Sequence, residues 1–139
     1  MYPFSSKQRG EVVENLFAYR ASALGLTICR PLGDSAPYDF IVDGAGLHRV
    51  QVRSVSGRSD CGSFAVTCSY GSRRKRPYPP DTVDFIAAYL VPITAWYIIP
   101  FAEIRGRTRI HIFPDLPQRD CFRLFREAWH FVGATPSRV

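Results

Sequence analysis

The sequence predicts an α/β fold, and three observations predict it. A helix-spaced apolar stripe opens the chain, and two strand-like segments then flank a glycine-rich turn. Two later runs are dense in β-branched and aromatic residues. With a second helical spacing near the end, the expected architecture is an N-terminal helix on a mixed β-sheet with a C-terminal helix.

Ser5 or Ser6 can cap a first helix that runs to about Leu24, where Gly25 stops it. Val13, Leu16, Phe17, Ala21 and Leu24 recur at helical spacing and form its buried face. Strand-like segments follow at residues 26–30, 38–42 and 47–54. Asp43-Gly44-Ala45-Gly46 is a turn signal, so the last two should pair as a hairpin. In the third segment Val50 and Val52 point one way while Gln51 and Arg53 point the other. Residues 63–69 read as a further strand, and residues 71–80 as a basic, proline-rich loop. Residues 83–90 and 95–99 read as buried strands, with Pro92 in their connection and Pro100 ending the second. Residues 107–113 read as an edge strand. Residues 118–132 read as the closing helix, with Phe122, Phe125 and Trp129 on one face.

A chain of 139 residues fits one domain and falls short of two. Apolar residues make up 46% of it, enough for a sizeable core. No apolar run is long enough to cross a membrane, and the opening residues lack the apolar stretch of a secretory signal. A soluble, cytoplasmic protein is expected. Cys29, Cys61, Cys68 and Cys121 form no C-x-x-C pair, so buried or half-buried free thiols are expected. His48, His111 and His130 are scattered and read as structural or surface groups.

The net charge is +6 and the pI about 9.5. A basic domain of this size attracts polyanions, because neutralising phosphates releases condensed counterions. No lysine-rich amphipathic helix points to acidic lipid, so nucleic acid is the favoured partner. All but Lys7 and Lys75 of the basic residues are arginines, whose forked donors suit phosphate.

Metal-dependent phosphodiester cleavage needs oxygen ligands converging on a hard cation, and a group that handles water and phosphate. A helix carboxylate beside a hairpin can build such a site. One hairpin strand gives an aspartate near its end, and the other gives two residues at alternate positions. Glu14, Asp39, Gln51 and Arg53 stand at those places in chain order. Each also has a plainer reading: Glu14 and Glu11 as helix N-terminal acids, Asp39 as a turn former, Gln51 and Arg53 as surface groups.

The residues resemble those of a known family. Gly10-Glu11-Val12-Val13-Glu14 looks like the G-x-x-x-E helix motif of PD-(D/E)XK nucleases. Pro31-Leu32-Gly33-Asp34, Tyr38-Asp39-Phe40-Ile41-Val42-Asp43 and Arg49-Val50-Gln51-Val52-Arg53-Ser54 resemble the pattern of the group I intron-associated members. Val83-Asp84-Phe85-Ile86-Ala87-Ala88-Tyr89 and Trp96-Tyr97-Ile98-Ile99-Pro100 match further segments of that pattern. The likeness covers about residues 10–114. Each motif is weak alone, but their order and spacing together are specific.

The resemblance implies a restriction-endonuclease-like core and a Mg²⁺-dependent endonuclease acting on double-stranded DNA, with Mn²⁺ able to substitute. By position, Glu14, Asp39 and Gln51 are the implied metal ligands, with Glu11 as an accessory acid. Gln51 can still offer a neutral carbonyl to a hard cation. Arg53 departs from the family's lysine, and it cannot give up a proton at any ordinary pH. It can still stabilise a charged phosphorus centre. Catalysis therefore survives in a slowed form, or the chain is a non-catalytic DNA-binding domain on the same fold. A third reading is a partner-binding protein.

Arg73, Arg74, Lys75 and Arg76 form the densest basic cluster and are expected to hold DNA phosphates, with Tyr78 packing on sugar or base. Arg105, Arg107 and Arg109 alternate along the expected edge strand, as a second phosphate track or a partner surface. Asp34 is a turn residue or a support for Asp39. A homodimer or higher homo-oligomer is expected, since cutting a duplex needs two sites.

Overall fold

A computed structural model describes residues 5–135. Ser5 caps helix α1, Ser6–Ala23, through a capping box: its hydroxyl accepts the N–H of Gln8, and Gln8 Oε1 accepts the N–H of Ser5. Gly25, at φ +86°, takes the left-handed conformation that ends the helix. Val13, Phe17 and Ala21, four residues apart, form its buried stripe, with Leu16 and Leu24 partly buried beside them.

Strands β1 (Thr27–Cys29), β2 (Phe40–Gly44) and β3 (Gly46–Val55) run antiparallel to one another in succession. Gly44 faces Gly46 across the hairpin, leaving Ala45 alone at the tip. A long connection then carries the short strands β4 (Phe64–Thr67), β5 (Ser69–Tyr70) and β6 (Arg76–Pro77). It leads to β7 (Phe85–Leu90), which lies parallel to β3 and pairs Val50 with Phe85 and Arg53 with Ala88. Strand β8 (Ala95–Pro100) closes the main sheet antiparallel to β7. The mixed sheet therefore has the order β1-β2-β3-β7-β8. After the one-turn helix α2 (Phe101–Ile104), β9 (Arg109–Ile112) pairs with β4 in a separate two-stranded sheet.

Strand alternation distributes the core over both faces of the sheet. Phe85, Ala87, Trp96 and Ile98 join Val50, Val52 and the α1 stripe on one face. Ile86, Ala88, Tyr97 and Ile99 meet Phe64, Val66, Ile110 and Ile112 on the other. Arg49 locks the entry of β7 to β3. Its Nε and Nη2 each donate to Asp84 at 3.0 Å, and its backbone N–H donates to Asp84 Oδ2 at 2.7 Å. Arg49 Nη1 also donates to the Asp81 carbonyl. These donors, Arg49's side chain foremost, hold the Asp84 carboxyl below its usual pKa.

Three expectations need correction. Residues 118–132 form no α-helix; they make two short 3-10 turns, Arg123–Phe125 and Trp129–Val132. The reason is the outer edge of β8, whose Trp96 needs partners for its N–H and carbonyl. Glu127 supplies both, accepting at Oε2 and donating its own N–H, each at 2.7 Å, and its φ of +49° breaks helical geometry. The edge strand is shorter than expected, so Arg105 and Arg107 precede it and only Arg109 lies on it. Of the free cysteines only Cys68 is buried, while Cys29, Cys61 and Cys121 are exposed.

Candidate active site

Glu14, Asp39, Gln51 and Arg53 line one cleft of about 380 Å³. Helix periodicity sets Glu14 one residue after the buried Val13, so it stands half-buried at the edge of the α1 stripe. Asp39 immediately precedes β2 and starts its pairing, donating its N–H to the Val50 carbonyl at 2.9 Å. Gln51 and Arg53 project from β3 on the face opposite Val50 and Val52. Gly10 lies one turn before Glu14 and also lines the cleft. A Cβ there would meet nothing within 4 Å, so this wall is open.

The two carboxylates are held in a poorly solvated place. Burial raises the pKa of Glu14 first, and the neighbouring Asp39 charge adds to that; Arg30 opposes both. Burial likewise raises Asp39, against the lowering effects of the Val52 N–H and of Arg53. The Asp39 Oδ2 atom accepts the Val52 N–H at 2.8 Å. Glu14 Oε1 lies 3.7 Å from Arg30 Nη1, and the Arg30 guanidinium also sits 4.6 Å from the Phe40 ring centre.

Arg53 points along the cleft floor toward the β5 and β6 hairpin. Its Nη2 donates to the Ser69 carbonyl at 2.9 Å and to the Tyr78 hydroxyl at 2.5 Å. Its Nε is buried and has no hydrogen-bond partner among the described residues. A second cleft, of about 530 Å³, adjoins the first and shares part of its lining. Asp39, Gln51, Arg53 and Lys75 line both clefts, and Tyr70, Tyr78 and Thr82 face the second.

The structure thus brings together the four residues expected at the centre and sorts the others. Glu11 is exposed and lines only an outer groove with Glu14, Asn15 and Arg30. Asp34 borders a side groove that contains Asp39 and Glu14. Arg73, Arg74, Lys75 and Arg76 are all exposed on the hairpin, and of the four Lys75 alone lines the two clefts. Tyr78 is only 5% exposed, so its ring is not offered to a sugar or base as expected; its hydroxyl holds Arg53 instead. Arg105 lies against Phe101, with 5.3 Å from its guanidinium carbon to the ring centre. Arg109 is exposed on β9 opposite Thr67, which lines the cleft. Sequence reasoning missed Arg30, whose charge faces Glu14. Its place just after β1, beside the residue pairing of Cys29 with Ile41, was the available signal.

Among the described residues, no group of three or more His, Cys, Asp or Glu side chains is set to hold a metal. A cation here would rest on two carboxylates and one amide. That set fits Mg²⁺, which takes hard oxygen donors, commonly one or two carboxylates with water completing the shell. The repulsion that Asp39 imposes on Glu14 is the kind a divalent cation relieves.

The sequence matches the family described as PD-(D/E)XK endonuclease over residues 4–132. The solved structure of a bacterial homing endonuclease, I-Ssp6803I, superposes with a TM-score of 0.80. It is 29% identical and aligned over 93% of each chain. No curated protein matches the sequence.

Proposed function

Because this chain belongs to the PD-(D/E)XK endonuclease family, we propose that it is a Mg²⁺-dependent nuclease that hydrolyses phosphodiester bonds of duplex DNA. The observation that carries this reading is the single cleft in which Glu14, Asp39, Gln51 and Arg53 converge. Glu14, Asp39 and Gln51 would hold the Mg²⁺, or Mn²⁺ in its place. When bound, the cation supplies positive charge to the phosphate oxygens and acidifies water.

The residues of the chain then set the geometry. Asp39 is fixed by the Val52 N–H, which leaves its Oδ1 for the cation. Water attacks phosphorus as the bond to the leaving sugar oxygen breaks; the water loses a proton, and the leaving oxygen gains one. Arg53 brings a permanent charge to the cleft but cannot accept the water's proton. The exposed arginines of the hairpin extend the positive surface along a phosphate backbone. Cutting both strands calls for two copies of the chain, and a two-fold homodimer is the simplest arrangement.

A second reading, a DNA-binding domain without catalysis, is favoured by one observation: Arg53 already donates to Ser69 and Tyr78. Incubating purified protein with supercoiled plasmid in Mg²⁺, Mn²⁺ or chelator decides between them. Nicked or linear product in the metal lanes only is the expected result. Tight, salt-sensitive binding with no product in any lane overturns the nuclease and leaves the binding domain.

A further inference from the structure

We infer that Lys75, carried by the β5 and β6 hairpin, supplies the mobile cation that acts on the scissile phosphate, and that Arg53 holds this hairpin in place. The inference rests on the nuclease reading and names a residue that the position of Arg53 leaves wanting.

The chain has two lysines, and Lys7 lies in the first turn of α1. Lys75 lines both clefts, together with Asp39, Gln51 and Arg53. Its neighbours Arg73, Arg74 and Arg76 line neither. Among the described residues the Lys75 ammonium, with three donors, makes no hydrogen bond or ion pair.

The backbone places this exposed residue at the clefts. The pairs Ser69 with Pro77 and Tyr70 with Arg76 close a loop of residues 71–75. Gly71 sits at φ +99°, where a Cβ would lie 2.4 Å from the Arg74 carbonyl oxygen. Only glycine permits so tight a loop. Lys75 stands at the foot of that loop, directly before β6 and its short ladder. Arg53 Nη2 reaches from β3 to the first rung of the ladder through the Ser69 carbonyl, and to Tyr78 just beyond it. The donors of that nitrogen serve the hairpin, while the lysine beyond them faces open cleft.

The division of labour follows from side-chain chemistry. A guanidinium is a rigid fork suited to bridging two fixed acceptors, as it does here. An ammonium on a four-carbon stem is a compact charge that can follow a phosphate as its geometry changes. As water attacks phosphorus, charge grows on the non-bridging oxygens, and Lys75 would hydrogen-bond to them. No proton need leave the lysine.

The test compares wild type, Lys75→Gln and Lys7→Gln as full-length chains. Each is assayed for single-turnover cleavage of a duplex in Mg²⁺, with affinity for the same duplex measured in chelator. Lys75→Gln is expected to slow the step at saturating protein by about 100-fold, with affinity reduced no more than roughly threefold. Lys7→Gln should match wild type in both. A Lys75→Gln rate within threefold of an active wild type overturns the inference and leaves the nuclease standing. A loss that lies wholly in affinity also overturns it and makes Lys75 a backbone contact. A wild type that cuts nothing in Mg²⁺ or Mn²⁺ removes both the nuclease and the inference.

Discussion

The carboxylate of Asp39 accepts the backbone N–H of Val52 at 2.8 Å, on the strand that also carries Gln51 and Arg53. Strand β2 begins at Phe40 opposite Val50, so the Val52 N–H lies beyond the reach of the ladder. Asp39 supplies the missing acceptor, and one side chain thereby joins the sheet to the site.

This double duty separates two substitutions. Asp39→Ala orphans the Val52 N–H and should cost about 1–2 kcal/mol of stability. Asp39→Asn keeps an acceptor there and should fold at least as well as wild type. Both should lose at least tenfold in affinity for Mg²⁺ or Mn²⁺ by calorimetric titration. Equal affinity in wild type and Asp39→Asn would remove Asp39 from the site.

The same residue gives a pH-dependent signature. Its pKa is raised on folding, chiefly by burial, so the folded chain holds the proton more tightly than the unfolded one. Wild-type stability therefore falls as pH rises from the unfolded carboxyl range through the folded pKa. In metal-free buffer Asp39→Asn should melt above wild type at pH 7, and the gap should close on acidification. A gap that widens toward acid would contradict this account.

Arg49 and Asp84 should behave in the opposite sense. Hydrogen bonds from Arg49 lower the Asp84 pKa, so their stabilisation is full above the unfolded carboxyl range and is lost as pH falls through the folded value. The pair is about one-third exposed, so solvent weakens it. Asp84→Asn should cost about 1 kcal/mol at pH 7, read by urea melts. Cleavage well below the melting temperature should be unchanged.

For the hairpin arginines, salt dependence is the measure. Replacing Arg73, Arg74 and Arg76 with glutamine should weaken duplex binding for every sequence tested. The slope of log affinity against log salt should fall by about 0.9 for each phosphate no longer neutralised. An unchanged slope would shift the phosphate track to Arg105, Arg107 and Arg109.

Tyr78→Phe isolates the hold on Arg53. It removes one hydrogen bond and should cost about 1 kcal/mol in stability. If Arg53 orders the hairpin, kcat should fall about tenfold while KM stays within roughly twofold. Sequence reasoning alone expects Arg53→Lys to raise cleavage by restoring the family's residue. The hydrogen bonds of Arg53 lead us to expect the opposite sign, because one ammonium cannot reproduce the guanidinium's ties from β3 to Ser69 and Tyr78. Faster cleavage by Arg53→Lys would mean that those ties do not matter to the reaction.

The central site was legible because strand alternation is local. Val50 and Val52 must face the core, so Gln51 and Arg53 must share the other face, and the Asp43 to Gly46 turn fixes their register against Asp39. The closing segment was not legible, because its conformation is set from outside. Phe122, Phe125 and Trp129 carry helical spacing, but Trp96 on the β8 edge draws Glu127 into pairing. Lys75 and Tyr78 looked like parts of one basic surface loop. Only the fold sets one at the rim of the cleft and buries the other in the core.

The crossover from β3 to β7, residues 56–84, has a consequence for how such a chain can diverge. Glu14, Asp39, Gln51 and Arg53 all stand outside it, while Ala65, Thr67, Lys75 and Tyr78, which shape the cleft's outer walls, stand within it. The crossover behaves as a cassette laid over the frame of the candidate site, and exposed positions such as Arg73 and Arg74 can drift without disturbing that frame. Several ties hold the cassette to the rest of the chain, among them the β4 to β9 ladder, the bonds from Arg49 to Asp81 and Asp84, and those from Arg53 to Ser69 and Tyr78. A descendant that exchanges the cassette and loses Tyr78 leaves Arg53 with one acceptor fewer, so positions 53, 75 and 78 are expected to change together.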